Sequence, residues 1–295
     1  MIKNHKTHLT ILIKTFISIL LILNITGCSE YLSDAPQKTQ TTSAQGSTVS
    51  FINVGQGDST LIQSNGKTVL FDAGHGGSYD DACLDFLESQ SIATLDYLIL
   101  SHPDADHIND AADVLKNIDV KNIYMNDYVS SSKTYENLLK TIQQEGLAID
   151  VPDVGDTIEL DNAVITFISV GSDANDSNNS SLCITFDDGY NQFLFTGDAD
   201  ASVETNLVNS GKIPEGIDVL KAGHHGSKYS NSEILLNAIK SPVVIISCGI
   251  GNSYGHPNEE ALNRFQKTNM TIYRTDKDGS IIVESNQEGL QISTK

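Results

Sequence analysis

The segment Val49-Ser50-Phe51-Ile52-Asn53-Val54 alternates like a half-buried strand and stops at Gly55-Gln56-Gly57-Asp58. Ser59 to Gln63 and Thr68 to Asp72 read as the next two strands, joined by a turn at Asn65-Gly66. From Asp80 to Ser91 the apolar residues Ala82, Cys83, Phe86 and Leu87 recur with a helical period, and Asp96 to Ser101 is a continuous apolar run that predicts a buried strand. Helical patterns follow at Ile108 to Asn117 and Thr134 to Glu145. Strands are predicted at Val164 to Val170, Leu182 to Phe186, Phe193 to Thr196, Val219 to Ala222 and Val243 to Ser247. Helices are predicted at Ala199 to Ser210, Ser232 to Ile239 and Asn258 to Gln266. Thr271 to Thr275 and Ser280 to Ser285 read as a closing hairpin. No period of about 20–50 residues repeats, which excludes a solenoid or propeller. Early strand pairs followed by strand–helix alternation predict an α/β fold of sheets covered by helices.

The N-terminus has a different character. Lys3, Lys6 and Lys14 flank an apolar run from Ile11 to Ile25, a basic start before a short apolar stretch in the manner of a secretory signal. Ile25-Thr26-Gly27-Cys28 resembles the lipobox of bacterial lipoproteins, which implies lipid attachment at Cys28 and a membrane anchor on the extracytoplasmic face. Residues 29–47 are rich in Ser, Thr and Gln without apolar periodicity and read as a flexible tether. The expected organisation is therefore a signal over residues 1–28, a tether over 29–47 and one domain over 48–295.

Composition narrows the chemistry. The chain of 295 residues carries 18 Lys+Arg against 38 Asp+Glu, a formal net charge of −20, which excludes gripping nucleic acid through a general basic surface. After Cys28 only Cys83, Cys183 and Cys248 remain, an odd number with no Cys-x-x-Cys pair, so a disulfide framework is not expected.

The densest chemistry lies in Ser101-His102-Pro103-Asp104-Ala105-Asp106-His107, directly after a buried strand. Two imidazoles and two carboxylates within six positions suit zinc, manganese or iron. Alternate side chains leaving a strand turn toward one point, so His102 and Asp104 suit one ion while Asp106 and His107 face a second. The bland alternative is a polar turn with Asp106 capping the following helix.

This arrangement resembles the strand–His-x-His/Asp-x-Asp-His–helix signature of the metallo-β-lactamase fold. Phe51-Ile52-Asn53-Val54-Gly55-Gln56-Gly57-Asp58-Ser59 is similar to the opening of the branch that contains the C-terminal domain of the DNA-uptake protein ComEC. Phe71-Asp72-Ala73-Gly74, Phe195-Thr196-Gly197-Asp198, Ala222-Gly223-His224-His225-Gly226-Ser227, Tyr254-Gly255-His256-Pro257 and Arg274-Thr275-Asp276 resemble further blocks in the family's order. The resemblance implies an αββα sandwich, two packed mixed sheets with helices on the outer faces. It implies a site holding two divalent metal ions, zinc or manganese, with Asp198 bridging them. His102, Asp104, Asp106, His107, Asp198 and His224 become the expected ligands. His224 is favoured over His225 because it follows the small residues at the strand end. Asp106 is expected to orient water, and His225 or His256 to protonate the leaving group. His75 fits no ligand block and reads as a loop residue.

Two departures stand out. Asn178-Asn179-Ser180-Ser181 stands where many members carry a His, which leaves the first ion with His102, Asp104 and Asp198 and favours a harder metal. Ile108-Asn109-Asp110 replaces Ile-Gly-Gly at the helix start.

The resemblance implies a surface-tethered two-metal hydrolase of phosphodiesters, with DNA as one substrate. A phosphorylcholine-type or other small-ester hydrolase keeps the same chemistry. A non-catalytic, metal-dependent surface binding protein is the third reading. The N-terminal reading has its own test. Cys28→Ser is expected to release the domain from the membrane fraction or leave an unprocessed precursor. A mature, membrane-bound Cys28→Ser protein in fractionation would rule out the lipid anchor.

Overall fold

Large apolar residues stand at consecutive positions of the central strands, so each sheet has two apolar faces to cover. In the strand Gln192–Phe195, Phe193 and Phe195 point into the core between the sheets, while Leu194 points to a helical layer. In Lys67–Ala73, Val69 and Phe71 face the central core and Leu70 faces outward. This two-residue period places a sheet pair in the middle and helices on both outer faces.

The computed structural model describes residues 46–171 and 176–295. The first sheet has eight strands in the order Gly289–Thr294, Ile281–Asn286, Ser47–Phe51, Ser59–Ser64, Lys67–Ala73, Tyr97–Leu100, Ile123–Met125 and Ile149–Asp150. The second has seven, in the order Thr271–Arg274, Val243–Ile246, Val219–Lys221, Gln192–Phe195, Leu182–Asp187, Ala163–Val170 and Thr157–Leu160. Helices Ala82–Ser89, Ala111–Asn117 and Lys133–Gln144 cover the first sheet. Helices Ala201–Asn209, Glu233–Ile239 and Glu259–Lys267 cover the second. The expected αββα sandwich is the observed fold. The sheets meet on phenylalanines: the Phe195 ring lies 6.0 Å from Phe51 and 5.3 Å from Phe71, centroid to centroid.

Three differences from the sequence reading have physical causes. Thr271–Arg274 and Ile281–Asn286 do not form a hairpin: the former runs parallel to Val243–Ile246 in the second sheet, and the latter pairs with Ser47–Phe51 in the first. A helical turn at Thr275–Asp278 carries the chain between sheets, held where Cys248 N–H donates to Thr275 Oγ1 and Arg274 pairs with Asp276. The true hairpin joins Ile281–Asn286 to Gly289–Thr294. The helix after the His/Asp stretch begins at Ala105, with Asp104 as its cap residue, and breaks after Ile108 because Asp110 N–H donates to Ala73 O instead. The short strands Ile123–Met125, Ile149–Asp150 and Thr157–Leu160 have too few residues to show a period. The first strand begins at Ser47, one residue ahead of the expected domain start. The expected signal, Cys28 and nearly all of the expected tether lie outside the described residues.

Cys83, Cys183 and Cys248 are all buried and free, and burial pushes each thiol up to about 12. Among the described residues no helix is long and apolar enough to cross a membrane.

Phe195 is the residue both sheets share. Phe195→Ala is expected to lower stability by about 3–5 kcal/mol, through lost burial and the cavity left behind. A urea titration reads this as a lower midpoint at unchanged slope. A loss under about 1 kcal/mol would mean the inter-sheet core closes around the gap.

Candidate metal centre

Five strands deliver the site, and each does so from its carboxyl end. Lys67–Ala73 leads to Asp72 and Gly74, and the parallel Tyr97–Leu100 leads to Ser101 and His102. In the other sheet Gln192–Phe195, Val219–Lys221 and Val243–Ile246 run parallel and lead to Asp198, His224–His225 and Ser247. Both sheets therefore open their chain-turning ends onto one crevice, where α/β folds place ligands.

Asp72 organises the first half. It sits at φ 59°, a left-handed conformation that costs a non-glycine residue about 1–3 kcal/mol. That twist turns its carboxylate to accept Ser101 N–H at 2.7 Å and Ser101 O–H at 2.8 Å, and His107 Nδ1–H at 2.8 Å. Because Ser101 Oγ donates to Asp72, it accepts from His102 Nδ1 at 3.0 Å. Gly74 lets this loop touch the next one: a Cβ there would collide with the Asp106 carbonyl.

The second half uses the same device. His224 and His225 stand at φ 50° and 52°, two successive strained residues. The loop is held by Asn231, whose amide donates to Gly223 O and whose Oδ1 accepts Gly223 N–H, each at 2.9 Å. Buried Glu204 accepts Asn231 N–H and Ser232 N–H, and Arg264 donates to the Ser230 and Asn231 carbonyls. Within this frame His225 Nδ1–H donates to Ser247 O at 3.1 Å.

The consequence is uniform. His102, His107 and His225 each commit Nδ1, so each carries its free lone pair on Nε2. All three Nε2 atoms are buried without a hydrogen-bond partner among the described residues, as are Asp198 Oδ1 and Asp58 Oδ1. His107 Nε2 lies 3.2 Å from Asp198 Oδ1, and His225 Nε2 lies 3.7 Å from Asp198 Oδ2 and 3.2 Å from Asp106 Oδ2. Asp58, His107, Asp198 and His225 offer donor atoms all within 4.8 Å of one another. Unpartnered buried acceptors converging at this spacing fit a cation, which satisfies lone pairs on imidazole and carboxylate together. Oriented imidazoles of this kind are the usual support for metal ligands.

Charge tells the same story. Burial disfavours a protonated His107, yet the Asp198 and Asp72 carboxylates outweigh it and hold the group well above the usual imidazole range. His225 is raised against burial by Asp198, Asp58 and Asp106. Asp198 is burdened by burial but driven far below the carboxylate range by His107 and His225. Asp106 is likewise depressed against burial by His225 and His107. The site demands positive charge; protons on imidazole supply it in one way and a metal cation in another.

Of the sequence-predicted residues, His102, Asp104, Asp106, His107, Asp198 and His224 all border this crevice. His102 Nε2 lies 3.7 Å from Asp104 Oδ2, and Asp104 is 43% exposed and accepts Ser177 O–H at 2.7 Å. Sequence reasoning favours His224 for the second ion and leaves His225 beside it. The structure instead puts buried His225 in the four-donor group, with His224 at its edge, 3.5 Å from Asp198 Oδ2 and 23% exposed. The cause is the double left-handed turn, which sends the second imidazole inward. His256 stays outside the group, its ring 5.3 Å from His224 and 6.1 Å from His225, and burial with those imidazoles lowers it to about 4. His75 is a loop residue outside the four-donor group, with Nε2 3.4 Å from Asp110 Oδ1. Ser181 Oγ, in the Asn/Ser block, lies 3.4 Å from His102 Nδ1 and accepts Asp198 N–H at 3.1 Å.

Sequence reasoning missed Asp58 and Lys221. The Lys221 ammonium is buried and donates to Asp58 Oδ2 at 2.7 Å and to Ala222 O at 3.0 Å. The signal existed: Asp58 ends the Gly55-Gln56-Gly57-Asp58 turn, and Lys221 is a basic residue in an otherwise apolar strand segment, Val219-Leu220-Lys221-Ala222.

A crevice of strand ends with convergent imidazoles and a central carboxylate on an αββα sandwich defines a class. The chain belongs to the metallo-beta-lactamase superfamily, whose family model matches residues 52–250. Among curated proteins it is 32% identical over 253 residues to ComE operon protein 3 of Bacillus subtilis, covering 79% of this chain and 32% of that protein. It is 33% identical over 252 residues to Recombination protein 2 of Haemophilus influenzae, covering 83% of this chain and 29% of that protein. The chain thus spans about a third of the length of these relatives. Among solved structures, the metallo-beta-lactamase fold protein YhfI from Bacillus subtilis matches with a TM-score of 0.55 at 14% identity, covering 81% of this chain and 100% of that one. The metallo hydrolase Igni18 from Ignicoccus hospitalis matches with a TM-score of 0.52 at 14% identity, covering 80% of this chain and 98% of that one.

Asp72 orients two imidazoles without facing the central group. Asp72→Asn is expected to weaken metal binding by about 10–100-fold, measured by competition with a chromogenic chelator. Unchanged affinity would mean His102 and His107 keep their orientation without it.

Proposed function

We propose that this protein is a metal-dependent phosphodiesterase, tethered to the extracytoplasmic face of the membrane through a lipid on Cys28. The observation that carries the catalytic reading is the convergence of three unpartnered Nε2 atoms and Asp198 on one crevice. Charge supports two divalent ions, zinc or manganese. Lys221 offsets one of the five carboxylates Asp58, Asp72, Asp104, Asp106 and Asp198, and two divalent cations match the remaining four.

His107, His225 and Asp198, with Asp58 behind them, would hold one ion; His102 and Asp104 would hold the other with Asp198 between. Bound divalent cations supply Lewis-acid chemistry, activating water and neutralising phosphoryl oxygens. Asp106, 30% exposed at the cluster's edge, orients the attacking water by accepting its hydrogen at Oδ2. His224 stands on the open side, where it reaches a leaving oxygen. His256, neutral at pH 7 because its pKa is held at about 4, suits a hydrogen bond to substrate rather than proton delivery. DNA as substrate rests on the resemblance to the DNA-uptake branch.

Two variants separate the roles. Asp198→Ala is expected to lose metal at both positions and abolish turnover, since the cations then face each other without the charge between them. His256→Ala should keep its metal and slow turnover by less than the ~10²–10⁴-fold typical of a general acid or base. Elemental analysis with bis(p-nitrophenyl) phosphate hydrolysis, in zinc and in manganese, reads both. Full activity in Asp198→Ala would reject the two-metal reading.

A further inference from the structure

Beside the metal centre lies a cavity of about 460 Å³ that shares Asp106 with it. Its walls come from four loops that the fold ties together. Gly249 N–H donates to Gln56 Oε1 at 3.1 Å, Gly76 N–H to Val54 O at 2.9 Å, and the Asn109 amide to His75 O at 3.2 Å. Gly249 packs where a Cβ would meet the Gln56 backbone nitrogen at 2.6 Å. The cavity is therefore built in advance rather than left between mobile segments.

Its lining has a particular chemistry. Tyr79, Tyr254, Ile250, Gln56, Asn109 and Asn252 are among the residues that face it; none of the lining residues is Lys or Arg, and Asp106 is the one acidic group. The Gln56 amide nitrogen is buried without a partner among the described residues. Ile250 and Tyr254 are 74% and 66% exposed, large apolar side chains left uncovered at the cavity's edge. Rings stack in succession from the metal centre: His256 on His225 at 27° between planes, and Tyr254 on His256 at 24° with centroids 5.6 Å apart. Tyr254, which lines the cavity, is thus backed by an imidazole next to the metal centre.

We infer that this cavity is the subsite for the organic group of the phosphodiester, and that it takes one flat, uncharged ring of nucleoside size. Aromatic faces stack on planar rings without regard to ring identity. With no Lys or Arg in the lining, a second phosphate finds no permanent positive charge there. The substrate is a short diester or a chain end, read one residue deep. This inference rests on the phosphodiesterase reading above.

The test compares two esters with the same leaving group on the full chain in manganese: thymidine 5′-(p-nitrophenyl phosphate) and methyl p-nitrophenyl phosphate. Tyr254→Ala is expected to raise KM for the thymidine ester by about tenfold and leave the methyl ester unchanged. Tyr254 is exposed, and an unaltered melting temperature establishes that the variant folds. Equal effects on both esters, or none, overturn the subsite. So does a KM that keeps falling as oligothymidylate lengthens, because the site then grips more than one residue. Hydrolysis of neither ester by the wild type would reject the phosphodiesterase reading instead. Calorimetric binding of thymidine 5′-monophosphate then decides the subsite by itself: weaker binding to Tyr254→Ala supports it, and equal binding overturns it.

Discussion

The Asp72 carboxylate is the interaction on which the rest of the site depends. It takes three hydrogen bonds, from the Ser101 backbone, the Ser101 hydroxyl and His107 Nδ1, and so joins the ends of two parallel strands to the helix that follows them. Those bonds choose the tautomer of His107 directly and that of His102 through Ser101. They also require a left-handed backbone at Asp72, a local strain the surrounding loop sustains. One buried acid therefore orients two imidazoles, and the inward lone pairs are its product.

A second constraint is electrostatic. Burial would ordinarily neutralise these acids, yet Asp58, Asp106 and Asp198 are all held below their ordinary range because imidazoles and one ammonium face them. The crevice is a fixed array of negative charge in need of cations. Lys221 provides one permanently, from the end of a strand whose other residues are apolar. The acidity of the chain as a whole, −20, lies on the same side of the balance.

The sequence made the layered fold legible because its strands run continuously apolar where two faces must be covered, as at Phe193, Leu194 and Phe195. It did not reveal the final hairpin, since pairing partners depend on which sheet a chain re-enters, and a four-residue helical turn at Thr275–Asp278 decides that. The site was legible where ligand-type residues crowd together, from His102 to His107, and at the isolated Asp198. It was not legible between His224 and His225. Adjacent identical residues carry no periodic cue, and the choice falls to two positive φ angles that composition does not announce. Asp58 was hidden for a related reason, because a turn acid next to glycines reads as turn chemistry until the fold sets it beside Lys221.

The donors around the crevice come from the two halves of the sandwich: His102 and His107 follow strands of the first sheet, Asp198 and His225 those of the second. A cation shared by His107 and Asp198 closes a chain loop of roughly ninety residues by a non-covalent link. Such a link is absent from any partly opened state in which the sheets have parted, so it acts on the rate of opening more than on the rate of folding. An ion held there would then govern resistance to proteolysis as a matter of kinetics.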